Sequence, residues 1–173
     1  MSKQQLEAIL QMSAQFPPPA AHDDALAVYK WTLAQGLAPS AICLSGDTTG
    51  GNLAISTAML ARDERLPAPA ALVVMSPALD FTGESESFRT MTDAPLLTPQ
   101  PIELFKNVYF GDSVPTSPYL APLNGDLSKL PATLIHVGSC ASTPPLRSFC
   151  WYRVGIGRLR REAPDDLAGS MAM

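Results

Sequence analysis

The sequence predicts an α/β fold, a parallel sheet flanked by helices, on three observations. Short apolar runs stand far apart in the chain, at residues 41–44 (Ala-Ile-Cys-Leu), 70–75 (Ala-Ala-Leu-Val-Val-Met) and 133–137 (Thr-Leu-Ile-His-Val). Segments with helical character lie before and between them. A glycine-rich turn follows the first run directly. Buried strands read as short apolar runs bounded by turn residues, and strands alternating with helices favour parallel order.

The elements follow in order. Residues 2–15 carry Leu6, Ile9, Leu10 and Ala14 at helical spacing, which predicts an amphipathic helix. Pro17, Pro18 and Pro19 end it, because consecutive prolines cannot continue a helix. A second helix is predicted over 22–35. Asp23 and Asp24 suit its first turn, Gly36 its C-terminal stop, and Ala25, Val28, Tyr29, Thr32 and Leu33 form one face. The strand at 41–44 leads into the turn 46–51, and a third helix spans about 52–62 before Pro67 and Pro69. After the strand at 70–75, residues 77–100 read as a polar loop. Pro101 opens a helix over 101–110. A long connection over 111–131 precedes the last strand. From Cys140 onward no clear period survives, and the arginines at 147, 153, 158, 160 and 161 give the tail a different character.

Composition bounds the function classes. At 173 residues the chain suits one domain, with 46% hydrophobic and 16% charged residues. A net charge of -4 gives no general attraction to nucleic acid or anionic membrane. No apolar run approaches the roughly 20 residues of a membrane span, and Met1 to Gln15 lacks a signal-peptide core. A soluble cytoplasmic protein is expected. The 3 cysteines (Cys43, Cys140, Cys150) form no C-x-x-C pair, which suits a reducing compartment. With only His22 and His136, spacing assembles no metal cluster.

The turn Gly46-Asp47-Thr48-Thr49-Gly50-Gly51 carries the chemistry. A strand, a tight glycine turn and a helix form the context of a nucleophile elbow. Small residues must flank the apex, here Thr48. The backbone N–H that follows, on Thr49, points where an oxyanion would form, aided by the positive helix end. Gly46, Gly50 and Gly51 are expected to supply the space. Gly155-Ile156-Gly157 lacks the third glycine of a dinucleotide loop.

Further segments strengthen this reading. Pro19-Ala20-Ala21-His22-Asp23-Asp24-Ala25 through Tyr29-Lys30-Trp31 precedes the elbow, which runs on into Asn52-Leu53-Ala54. Ser76-Pro77-Ala78-Leu79-Asp80, Ser117-Pro118-Tyr119-Leu120-Ala121-Pro122-Leu123 and Leu134-Ile135-His136-Val137-Gly138-Ser139 follow. In this order they resemble the hormone-sensitive-lipase-like bacterial esterases of the α/β-hydrolase fold, whose elbow reads Gly-Asp-Ser-Ala-Gly-Gly. The resemblance covers residues 16–139 of a single domain, with 1–15 before it and a divergent tail, 140–173. It implies a carboxylic-ester hydrolase acting on small acyl esters, with no cofactor, a Ser–His–Asp/Glu triad and a His-Gly-Gly-Gly oxyanion loop.

The sequence departs from that pattern at four points. Thr48 stands where the family has serine, and Thr49 where it has alanine. No His-Gly-Gly-Gly segment precedes the elbow, so early strands are expected to be missing and a sheet edge open to self-association. Gly138-Ser139 is followed by Cys140-Ala141-Ser142-Thr143 rather than a carboxylate. No histidine follows His136. As written, the chain is expected to be inactive or severely impaired; the alternatives are a non-catalytic hydrolase-like binding or self-associating protein, or a truncated or frame-shifted gene product. Codons for Asp166-Leu167-Ala168-Gly169 can be chosen that, shifted by one base, encode Ile-Trp-Gln-Gly, resembling the family's segment before its histidine. The coding DNA tests that origin.

Overall fold

The computed structural model describes residues 15–79, 81, 99–111, 116–138, 149–155 and 158–162. The helix predicted over 2–15 and most of the 77–100 loop fall outside them. Helix α1 spans Ala20–Ala34, strand β1 Cys43–Asp47, helix α2 Thr49–Asp63, and strand β2 Ala71–Met75. Helix α3 (Pro99–Phe110), strand β3 (Ala132–Gly138) and strands β4 (Phe149–Gly155) and β5 (Arg158–Glu162) complete the order.

The sheet runs β1-β2-β3-β4-β5, with β1 at one edge. β1 pairs with β2 and β2 with β3 in parallel, whereas β3–β4 and β4–β5 are antiparallel. The three parallel strands and their helices match the predicted architecture. Within the tail, Phe149–Gly155 and Arg158–Glu162 form strands although no clear period marks them in the sequence. An antiparallel pair is held by backbone bonds and needs no apolar run to announce it.

Register explains the core. Leu44, Leu72 and Thr133 align across the sheet, as do Gly46, Val74 and Ile135. Leu72 and Val74 are fully buried on this face, against Ala54, Ile55, Ala58 and Met59 of α2. α2 lies close to the strands because its buried stripe is mostly small: Gly51, Ala54, Ser56, Ala58 and Ala61. The opposite face presents Met75 and Leu134, each 41% exposed.

α1 packs on α2 through Leu26 and Tyr29, which cluster with Ile42 and Ala61. The Tyr29 hydroxyl donates to the Pro67 carbonyl at 2.6 Å, tying α1 to the connection before β2. The observed stripe is His22, Leu26, Tyr29 and Leu33, at helical spacing. The predicted face is therefore rotated: Val28 is 61% exposed. Apolarity alone chose Val28, but the 3.6-residue period set by Tyr29 selects Leu26. Gly36 ends the helix as expected, at φ 83.

β1 also differs from its prediction. Residues 39–41 form a 3-10 turn, and the strand runs to Asp47. Pro39 starts that turn with its fixed φ. Pairing with β2 carries the polar Ser45-Gly46-Asp47 into the sheet. Among the described residues β1 stands at one end of the strand order.

Candidate active site

The turn between β1 and α2 is built around Thr48. Its backbone takes φ 53 and ψ -111, a left-handed conformation that a β-branched residue avoids. Three hydrogen bonds hold it there. The Thr48 N–H donates to the Met75 carbonyl at 2.9 Å, and the Thr48 carbonyl accepts from Asn52 N–H at 3.2 Å and Ala78 N–H at 2.9 Å. Such surroundings over-determine a conformation that costs about 1–3 kcal/mol on its own.

Two glycines make the turn possible. A Cβ on Gly46 would lie 2.2 Å from the backbone of Gly50, and one on Gly51 would lie 2.8 Å from the Pro77 side chain. Gly50 differs from the expectation, because its position faces open space. The amides of Thr49, Gly50 and Gly51 form the first turn of α2, where helix geometry supplies no internal acceptor. The turn therefore sets these amides at the positive end of α2.

The side chains do less. Thr48 Oγ1 donates to Asp47 Oδ1 at 3.3 Å, so the apex hydroxyl is partnered by its own neighbour. Neither histidine serves it. His136 lies in β3, in register with Met75 of β2 and so two strands from Asp47, about 10 Å by strand spacing. His22 lies behind the turn. Its Nε2 is 3.1 Å from Asn52 Oδ1.

Asn52 is the residue that sequence reasoning missed. Its amide nitrogen donates to the carbonyls of Ala78 at 2.8 Å and Leu120 at 3.0 Å. Its oxygen therefore accepts, from the Ser56 hydroxyl at 3.2 Å and from His22 through Nε2–H. Ser56 also contacts the Tyr119 carbonyl at 2.5 Å. This buried group ties the first turns of α2 to α1, to the chain after β2 and to the 117–124 connection. Burial pushes the His22 imidazole below its ordinary pKa, opposed by the Asn52 hydrogen bond, the charge of Asp23 and the Tyr119 backbone. The signal in the sequence was the four-residue spacing of Thr48, Asn52 and Ser56, which places them on one helical face. A small apolar hollow lined by Ile55, Leu79, Pro122, Leu127, Leu130, Thr133 and Ile135 sits on the α2 side of the sheet and offers no acid or base.

A family model of the α/β-hydrolase fold matches residues 10–143. The chain belongs to that family. Within it, this chain is similar to an acetyl-hydrolase of Streptomyces hygroscopicus, 36% identical over 137 residues, covering 76% of this chain and 46% of the relative. An esterase of Acinetobacter venetianus is 37% identical over 131 residues, covering 74% and 43%. A solved esterase of the bacterial hormone-sensitive lipase family superposes with TM-score 0.67 at 37% identity, over 71% of this chain and 42% of its own. A hormone-sensitive lipase from a metagenome library gives 0.68 at 36% identity, over 72% and 43%. The chain is thus similar to bacterial esterases of the hormone-sensitive lipase family, and spans less than half the length of these relatives. Among the described residues no helix is long and apolar enough to cross a membrane.

Proposed function

We propose that this chain is a carboxylic-ester hydrolase scaffold, of the kind that takes small acyl esters in the cytoplasm, with its turnover lost or severely impaired. The single observation behind this reading is the Thr48 hydroxyl bonded to Asp47 instead of to an imidazole. Ester hydrolysis by this fold needs a base to take the hydroxyl proton and an acid to return it to the leaving group. A carboxylate is a far weaker base than an imidazole and a poor one for an alcohol. The methyl of Thr48 adds a second obstacle, since it restricts χ1 at a crowded apex. Losing the serine or histidine of a comparable triad costs about 10⁶ in kcat.

The elbow amides remain as a binding element. Together with the partnered hydroxyl they favour, as second reading, a hydrolase-like protein that holds an acyl group or carboxylate without cleaving it. A p-nitrophenyl acetate assay of the wild type and Thr48→Ala tests both readings. No difference between the two proteins is expected. Robust turnover that disappears in Thr48→Ala would overturn both.

A further inference from the structure

The first turn of α1 meets the first turn of α2 through one buried side chain. α1 starts without a side-chain cap. The N–H groups of His22 and Asp23 both donate to the Pro19 carbonyl, at 2.7 and 3.1 Å. Among the described residues the buried side chains of this helix are His22, Leu26 and Tyr29. Leu26 and Tyr29 fasten the later turns, against Ile42 and Ala61. Burial in the first turn therefore rests on the His22 ring.

That ring is placed for one proton and not for two. Its Nε2–H donates to Asn52 Oδ1. Its Nδ1 is buried and has no hydrogen-bond partner among the described residues. A proton on Nδ1 would create both an unpaired buried donor and a buried charge, and each costs free energy. α2 presents the neutral Asn52 and Ser56 to this site, and the 117–124 connection presents the Tyr119 backbone. The Tyr119 carbonyl already accepts from the Ser56 hydroxyl. Asp23 of α1 is the charge that acts on the ring among the described residues, and it is exposed, where water screens it. Burial outweighs these groups and favours the neutral imidazole.

We propose that the contact of His22 with Asn52 is a proton-sensitive latch on the Thr48 turn. Protonation at Nδ1 releases the first turn of α1, where the charged ring reaches water. The release takes the Nε2–H donor away from Asn52 Oδ1. The Asn52 amide, fixed from that side, is what holds the carbonyls of Ala78 and Leu120. The N–H groups of Ala78 and Asn52 in turn hold the Thr48 carbonyl. The effect therefore passes from α1 to the apex through four bonded residues: His22, Asn52, Ala78 and Thr48. Neutral pH sets the turn and acid loosens it. The latch acts on the shape of the turn, whatever group the turn receives.

The test is native-state hydrogen exchange of the full chain by NMR, at about pH 7.5 and about pH 5, expressed as protection factors. The amides of Asp23, Asn52 and Ala78 are expected to be less protected than those of Leu72 and Val74 at both pH values, because the latch opens without the sheet. Their protection is expected to fall together on acidification. The fall is at most about thirtyfold, the limit set by a released histidine with a pKa of about 6.5. In His22→Gln, which keeps a donor toward Asn52 without titrating, the fall is expected to be absent. Equal protection of the turn and of Leu72 and Val74 overturns the proposal, since the turn then opens only with the whole fold. So does protection of the turn that is the same at both pH values, or a fall of equal size in His22→Gln. The first two results come from the wild type alone and decide the matter even if the variant does not fold. The readout is amide exchange and not turnover, so it stands apart from the reading of the turn as an ester site.

Discussion

A Cβ placed on Gly46 would sit 2.2 Å from the carbonyl carbon of Gly50, across the turn that lifts Thr48 above the sheet. The obstructing atoms are backbone, so no side-chain rotation relieves the clash. Gly46→Ala must open the turn and break the Thr48–Met75 bond. A loss of at least about 3 kcal/mol is expected. Gly50→Ala meets nothing within 4 Å and adds a helix-favouring residue to α2, so it should be neutral or stabilising by about 0.5 kcal/mol. Urea unfolding of the two variants checks the contrast. Equal destabilisation by both would contradict the assigned geometry.

Thr48 itself is strained at φ 53 and ψ -111. Glycine enters that region without a Cβ penalty but gives the unfolded chain more freedom, which offsets part of the gain. Thr48→Gly is expected to raise stability by about 1 kcal/mol, from the strain range for such conformations. The lost hydroxyl contact with Asp47 is exposed and contributes little. Denaturant midpoints measure the change. A fall in stability would show that the apex is relaxed.

The sequence and the structure agree where local chemistry dictates form. Gly46 and Gly51 announce the turn because backbone and Pro77 leave no room beside them. Leu72 and Val74 announce β2 because every second residue of that strand is fully buried. Agreement fades where partners are remote. Asn52 bonds to carbonyls 26 and 68 residues away, and nothing near Asn52 in the chain encodes those contacts. The antiparallel strands Phe149–Gly155 and Arg158–Glu162 rest on pairing with β3 and each other, not on a hydrophobic period. Val28 misled because one apolar residue off the stripe looks the same, in composition, as one on it.

Asn52→Ala should disturb more than one helix. It leaves the carbonyls of Ala78 and Leu120 and the His22 Nε2–H without their shared partner, while the Ser56 hydroxyl keeps the Tyr119 carbonyl. Water can reach some of these groups, since the bonds to Ala78 and Leu120 are only partly buried. A cost of about 3 kcal/mol follows from a loss of about 1–3 kcal/mol per unsatisfied buried group. Hydrogen exchange should show the amides of Asn52 and Ala78, both bonded to the Thr48 carbonyl, losing protection. Full protection with unchanged stability would remove Asn52 from its clamping role.

The same network predicts a pH response. Burial lowers the His22 pKa below its unfolded value of 6.5, so the folded state prefers the neutral ring. The unfolded chain takes up the proton first as pH falls. His22 thus contributes stability that is fully present above about pH 6.5 and declines as pH drops from there through the lower folded value. The sign fits the geometry, because Asn52 Oδ1 accepts from Nε2–H while the surroundings exclude a second charge. His22→Gln keeps a donor toward Asn52 and removes the titration. Its unfolding free energy should be flatter than the wild type's between pH 7 and 5, measured by urea titration at each pH. Carboxylates such as Asp63, held below the ordinary range chiefly by the hydrogen bond from Arg62, act at lower pH and remain in both proteins. Parallel profiles for wild type and His22→Gln would mean that His22 titrates alike in the folded and unfolded chain.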